Sequence, residues 1–507
     1  MWQEVYPVAD AYFERRGQST VMRDVLYFRL MMRLYCLLIL GIIPFCLRAQ
    51  PSEAPTWEGL LKQHLPRWME DYHTPGAVII TLEDGAITGQ VIRGWADKAQ
   101  ARRLTKKDVV PLGRLTQPLT AYAILQLEAA GLVKLDIPVN TYLEGWALSE
   151  GIYNPGDVTI RGLLSHSAGI QSWSEEPTIK ADTLTLSDKL NGRDGFPGPR
   201  MQDLPDSRYR YSEAGYLIIE KLLSDVTGQS FSSYMKDSVF AVNGMHSGQV
   251  ENVLPVDSSW ARPHHWNRTA LQSVHTITAM AARGAFMSPV DYAHFWETLM
   301  SSSNTTQQLI WTELQQQQIE SSGFFLPAGT GYGFGSGVSR RGDSLTLLTD
   351  FTRELSGWAN GYCIIPERSS AVFVFTNGVG GGMLVHRIIS MWTQQEQNVA
   401  PPAKVNLVFW REWMAILLIS LVFAVSIYIS YRLYASRRQR TLGVATVSQG
   451  IFIMGWFLLA ILTVQVVLPE IMAYFPHLFL LSVMAIILYL LVLLAWLVTP
   501  IRNSLRA

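Results

Sequence analysis

Chemistry in this chain is best sought first where a hydroxyl and an imidazole stand together. Ser165 and Ser167 flank His166 in "LLSHSAGI", and a serine beside a histidine can form a nucleophile with its general base. A histidine hydrogen-bonded into a turn is the plainer reading of the same letters. "GYGFGSG" fails as a G-x-S-x-G elbow because Phe334 occupies the place of the first glycine. His264 and His265 in "PHHW" lack a third spaced ligand, so no metal site is expected, and no cofactor signature accompanies them. "GRLTQPLTAYAILQLEAAGLVKLD", Gly113 to Asp136, opens like a long helix and offers Thr116 and Thr120, yet no serine or lysine occurs between Asp108 and Gly131.

The elements that must position such residues follow from periodicity. "GAVIITLEDGAITGQVIRGWAD" holds two β-rich runs around Asp84-Gly85, a hairpin signal, and "SSAVFVFTNG" near Phe373 reads as a buried strand. Helical spacing runs over Leu119–Ala130, over Ala214–Thr227 before Gly228, and over Pro289–Met300. Strands at both ends with helices between imply one antiparallel sheet assembled from both ends of the region and flanked by helices.

The chain has 507 residues, 41 Lys+Arg against 41 Asp+Glu, and 49% hydrophobic residues. That is neither a disordered profile nor the charge of a nucleic-acid partner. The apolar content is uneven. "LMMRLYCLLILGIIPFCLRAQ" has the layout of a signal peptide or anchor over residues 31–49, which makes residues 1–30 an extension before the true start at Met31 or Met32. Cys363 is the only cysteine outside this stretch, so no internal disulfide can form. Three apolar runs, Trp413–Leu433, Gly450–Leu468 and Leu478–Thr499, each approach the ~20 residues of a bilayer-spanning helix. Arg432, Arg437, Arg438 and Arg440 lie between the first two runs, whereas the loop with Glu470 and His477 carries no Lys or Arg. The positive-inside rule then places the preceding domain on the extracytoplasmic side of a membrane. The expected order is a domain over residues 56–398, a linker over 399–412, and three transmembrane helices over 413–507.

From Trp57 to about Asn377 the chain resembles the serine β-lactamase and penicillin-binding-protein superfamily, in its class C β-lactamase, D-aminopeptidase and esterase branch. The pieces occur in order: the hairpin, "TAYAILQLEAAGLVKLDIPV", "VTIRGLLSHSAGI", "YRYSEAGYLIIEKLLSDVTGQSFSSYM", "GAFMSPVDYAHF", "GYGFGSGV" and "FVFTNG". The resemblance implies an α+β fold, an antiparallel sheet flanked by helices with an all-helical subdomain. To it this chain adds the C-terminal transmembrane helices.

In that superfamily the nucleophile is the serine of S-x-x-K at a helix N-terminus, with the lysine one turn later on the same face. Here those positions hold Arg114 and Gln117. A guanidinium stays protonated and an amide carries no exchangeable charge, so neither can do the work. Thr116 would point roughly 200° round the helix from the expected position. Pro118 suits only a first helical turn and sets the helix start near Gln117. The Y-x-N motif is replaced by Tyr211-Ser212-Glu213, and Tyr211 without a neighbouring lysine reads as a packed aromatic. The strand motif K-T-G falls near Asp350–Arg353, where Asp350, Thr352 and Arg353 replace the basic residue and the glycine. Since the first two motifs face each other in the superfamily, Arg114 and Glu213 are expected to pair.

The reading that follows is a membrane-tethered, exported relative of serine hydrolases that has lost catalysis. It would bind a peptide, a cell-wall fragment or a protein partner through Arg114, Tyr211 and Glu213. Two alternatives stand beside it: a serine hydrolase with rearranged catalytic residues, and a scaffold for a membrane protein partner held by the C-terminal helices.

Overall fold

The computed structural model describes residues 57–171, 184–252, 260–271, 277–320, 330–341, 345–353 and 357–398. The expected extension, leader, linker and three spans, residues 1–49 and 399–507, lie outside the described residues. Among the described residues no helix is long and apolar enough to cross a membrane.

The hairpin signal at Asp84-Gly85 forms as read. Strand β1 (Gly76–Glu83) turns into β2 (Ala86–Asp97) through two residues with φ of 50° and 76°, the positive values that a tight hairpin turn demands. β1 pairs on its other side with β12 (Ser370–Thr376), from the far end of the domain, in register Ala77 to Thr376. The sheet has nine strands in the order β3-β2-β1-β12-β11-β10-β9-β8-β7. The others are β3 (Arg102–Arg103), β7 (Ile319–Glu320), β8 (Thr330–Tyr332), β9 (Gly337–Arg341), β10 (Leu345–Arg353) and β11 (Ala359–Ile365). The strands β11 and β12 are buried along their whole length, as strands covered on both faces must be.

Two helices at the ends of the domain cover one face, α1 (Trp57–Asp71) and α7 (Gly381–Met391), with Arg387 stacked 4.7 Å over the Trp68 ring. The other face meets α6 (Pro289–Ser301) and the turn Gly113–Leu115 that opens α2 (Thr116–Ala129), and a further layer with α3 (Ile160–Leu164), α4 (Glu213–Thr227) and α5 (Met280–Arg283) packs helix against helix. Tyr292 and Trp296 of α6 pack edge-on and tilted against Phe373, Phe375 and Tyr362 of the sheet. Each such buried ring contributes about 1.5–3 kcal/mol. Eleven of the fourteen residues of α2 are buried, which makes it a central helix with no solvent face. The helical layer also carries a three-stranded sheet, β4 (Val110–Pro111), β6 (Ala285–Met287) and β5 (Gln249–Val250). An all-helical subdomain is therefore an over-simplification. Strands of two or three residues are too short to leave a period in the sequence.

Candidate active site

Three segments far apart in sequence converge where α2 begins. Gly113, at φ 54°, enters a single 3-10 turn (Gly113–Leu115) that runs directly into α2. Pro118 sits in the first turn of the α-helix, where its missing N–H costs nothing. Ser212 caps α4, its Oγ accepting from Gly215 N at 3.0 Å, which fixes Tyr211 and Glu213 on either side of the helix start. β10 brings Asp350 opposite Tyr362 of β11, on the sheet face that looks toward α2.

Arg114 sits over the Tyr211 ring, its Cζ 4.4 Å from the centroid, with Nη2 3.5 Å from Asp350 Oδ1. The Arg114 side chain is 25% exposed and that of Asp350 is fully buried. Burial, the largest single influence, works against the guanidinium charge, but Asp350 together with Tyr211, Tyr332 and Tyr209 outweighs it and holds the group well above its ordinary pKa. Nε and Nη2 of Arg114 and Oδ2 of Asp350 are buried with no hydrogen-bond partner, so this is a charge pair at contact rather than a bidentate fork.

Gln117 is fully buried, and its amide is spoken for on both sides. Its Oε1 accepts from Tyr332 Oη at 2.8 Å and lies 3.1 Å from His166 Nε2, while its Nε2 donates to Tyr211 Oη at 3.1 Å. His166 Nδ1 accepts from Ser212 N at 3.1 Å, which puts the ring proton on Nε2 and directs it at Gln117. Tyr211 in turn donates to Glu213 Oε1 at 3.2 Å. Burial, and then Glu213, push the Tyr211 phenol well above its usual pKa, so it stays neutral. Along the His166–Gln117–Tyr211–Glu213 chain the His166 Nε2 proton, one Gln117 amide proton and the Tyr211 phenol proton each have an acceptor.

The expected pair between Arg114 and Glu213 is not formed. Arg114 pairs with Asp350, and Glu213 takes Arg283 Nη1 at 3.2 Å and the Thr278 hydroxyl at 3.3 Å. The reason is the Tyr211 ring: its face receives Arg114 and its hydroxyl reaches Glu213, so the phenol holds the two charges apart. Asp350 was foreseen as a motif position but not as the counter-ion. Thr352 and Arg353 follow it on β10, facing Asn360 and Ala359 of β11.

The other hydroxyls have structural duties. Ser165 Oγ donates to Arg161 O at 2.8 Å, and Ser167 Oγ donates to Asp206 Oδ1 at 2.7 Å. Thr116 Oγ1 accepts from Ala285 N at 3.1 Å, and Thr120 Oγ1 donates to Ala281 O at 2.7 Å. His264 is buried, with Nε2 accepting from Lys98 N at 3.2 Å and Nδ1 against Asn377 O at 3.0 Å. Among the described residues no group of His, Cys, Asp and Glu could hold a metal ion. Sequence reasoning missed Tyr332 and Arg283. Tyr332 stands in "GYGFGSG", where the search for a serine elbow drew attention to Phe334 instead. Arg283 immediately precedes "GAFMSPVDYAHF".

The profile of a family described as beta-lactamase matches residues 61–390. Among curated proteins, penicillin-binding protein 4* of Bacillus subtilis (strain 168) is 24% identical over 203 residues, 38% of this chain and 42% of the relative. Esterase EstB of Burkholderia gladioli is 28% identical over 201 residues, 38% of this chain and 50% of the relative. The matched segment thus spans about half or less of these relatives. Among solved structures, the octameric penicillin-binding protein homologue from Pyrococcus abyssi aligns with TM-score 0.56 and 19% identity, over 68% of this chain and 78% of that one. A β-lactamase/D-alanine carboxypeptidase from Pseudomonas syringae aligns with TM-score 0.54 and 15% identity, over 66% of this chain and 98% of that one. At these identities the structures speak for the fold alone.

Proposed function

The chain belongs to the β-lactamase family, and on that footing we propose that it is a non-catalytic member which binds a peptide, a cell-wall fragment or a protein partner. The observation that supports this is Arg114: where the resemblance puts the nucleophile stands a protonated guanidinium, over the Tyr211 ring and paired with Asp350. Acyl transfer needs an oxygen or sulfur lone pair there and a base to take its proton. Gln117, an amide bonded to Tyr332, Tyr211 and His166, supplies no base. The lone pairs of Glu213 are directed at Arg283, Thr278 and Tyr211.

Export and membrane tethering belong to the same proposal. They rest on the leader-like stretch over residues 31–49, the three apolar runs after Trp413 and the arginines between the first two of them. A tethered domain that keeps a hydrolase frame without its chemistry can present a recognition surface at the outer face of the membrane.

The test is covalent labelling of the full-length chain with a fluorescent penicillin and a fluorophosphonate. No labelling is expected from either probe, and none after Arg114→Ser with Gln117→Lys, because Asp350 still occupies the strand motif. A stoichiometric adduct on the unaltered chain, mapped to the residues around Arg114, would overturn the reading and favour a rearranged hydrolase.

A further inference from the structure

A second cleft, of about 570 Å³, lies between α1 and the β2–β3 edge of the sheet. None of Arg114, Gln117, Tyr211 or Asp350 lines it. Its lining carries Arg93, Lys98, Arg103 and Arg268 against a single carboxylate, Glu70. Arg268 is committed to that residue, donating to Glu70 O at 3.1 Å with Glu70 Oε1 at 4.0 Å. Arg93, Lys98 and Arg103 have no carboxylate within 4.0 Å among the described residues, and all three are exposed. The cleft therefore holds a net of three positive charges with no internal neutralisation.

Arg103 is held in place all the same. Its guanidinium carbon lies 3.7 Å from the Trp95 ring centroid, a cation–π contact that holds the group at the cleft wall. A planar fork there suits the oxygens of a phosphate group. Met69, Ile92 and Leu104 also line the cleft, and these side chains offer contact to an uncharged body. The volume lies within the ordinary range for small-molecule sites.

We propose that this cleft binds a phosphate ester, the phosphate between Arg103, Arg93 and Lys98 and its organic part along Met69, Ile92 and Leu104. Three cations call for a group with more than one negative charge or several charged oxygens, which a lone carboxylate does not meet. The proposal is independent of the fate of the Arg114 cleft. The phosphate could come from a soluble ester or from a phospholipid headgroup, and the experiment separates the two.

The full-length chain is titrated calorimetrically with glycerol 1-phosphate and, separately, with short-chain phosphatidylglycerol below its micelle concentration, with the matching phosphatidylcholine as zwitterionic control. Saturable binding of glycerol 1-phosphate identifies a soluble source, and binding of phosphatidylglycerol alone identifies the headgroup. In either case Arg103→Ala with Lys98→Ala weakens binding about tenfold or more. Arg103→Lys, which keeps the charge but loses the fork, weakens it less. Lys106→Ala with Lys107→Ala, neighbouring cations outside the cleft, leaves it unchanged. The proposal falls if neither ester binds, if phosphatidylcholine binds equally well, or if the Lys106 and Lys107 substitutions weaken binding as much as those in the cleft.

Discussion

Arg114 and Arg103 both sit over an aromatic ring, at 4.4 Å from the Tyr211 centroid and 3.7 Å from that of Trp95, but they face opposite situations. Arg114 is three-quarters covered, paired with a fully buried Asp350, and surrounded by polar groups whose protons are already assigned. Arg103 is exposed beside two further cations that lack counter-ions. The difference follows from the solvent. A charge removed from water must be neutralised within the protein, or its desolvation cost is prohibitive. A charge left in water needs no partner and keeps its capacity for a ligand. The charge of Arg114 is thus answered from within the protein, and the outer cleft is charged and open.

The comparison breaks most sharply at the inner pair. Arg114→Met leaves Asp350 buried without its cation and is expected to cost about 3–5 kcal/mol of stability. Arg114→Met combined with Asp350→Leu, which removes both charges, should recover most of that loss. Chemical denaturation of the three proteins decides it, and a single-variant cost below about 1 kcal/mol would mean that Asp350 is not held by Arg114.

A second buried charge sharpens the same point through pH. Glu220 of α4 is buried and accepts from Met280 N at 2.9 Å; burial, only partly offset by Lys189 and the backbone donors, raises its pKa from 4.5 to about 7. The folded state therefore holds its proton more tightly than the unfolded chain does. This contribution is full below about pH 4.5, declines as pH rises toward 7, and is gone above it. Glu220→Gln removes the decline, so the variant should gain about 1–3 kcal/mol relative to the unaltered protein between those limits. Parallel stability curves against pH for the two proteins would contradict the assignment.

The smallest effect is expected at the outer cleft. Arg93→Ala and Arg103→Ala should each shift stability by no more than about 0.5 kcal/mol, since neither exposed cation has a carboxylate to leave behind. A larger loss would show that these residues hold the sheet edge together.

Much of the fold was legible because it is written in local pattern. The Asp84-Gly85 hairpin, the α4 helix ending at Gly228 (φ 67°) and the buried β12 strand all stand where alternation, helical spacing and turn chemistry put them. The short strands β4, β5 and β6 were not legible, because two or three residues leave no period. The outer cleft escaped notice for a different reason. Arg93, Lys98, Arg103 and Arg268 come from separate segments, and nothing in their spacing announces that they meet.

At the candidate site the division is equally physical. That position 114 holds a guanidinium and position 117 an amide is a fact of the sequence alone, and neither side chain can itself act as nucleophile or base whatever the surrounding structure does. Which carboxylate neutralises Arg114 could be decided only in three dimensions. Asp350 and Glu213 are both near enough in the family's motif order to be candidates, and the Tyr211 ring, a few ångströms thick, assigns one to Arg114 and leaves the other to Arg283. The Gln117 amide likewise depends on Tyr332, 215 residues away. Residue identity sets what a side chain is able to do, while ion pairs and hydrogen bonds, which depend steeply on distance, are settled by packing between segments remote in the chain.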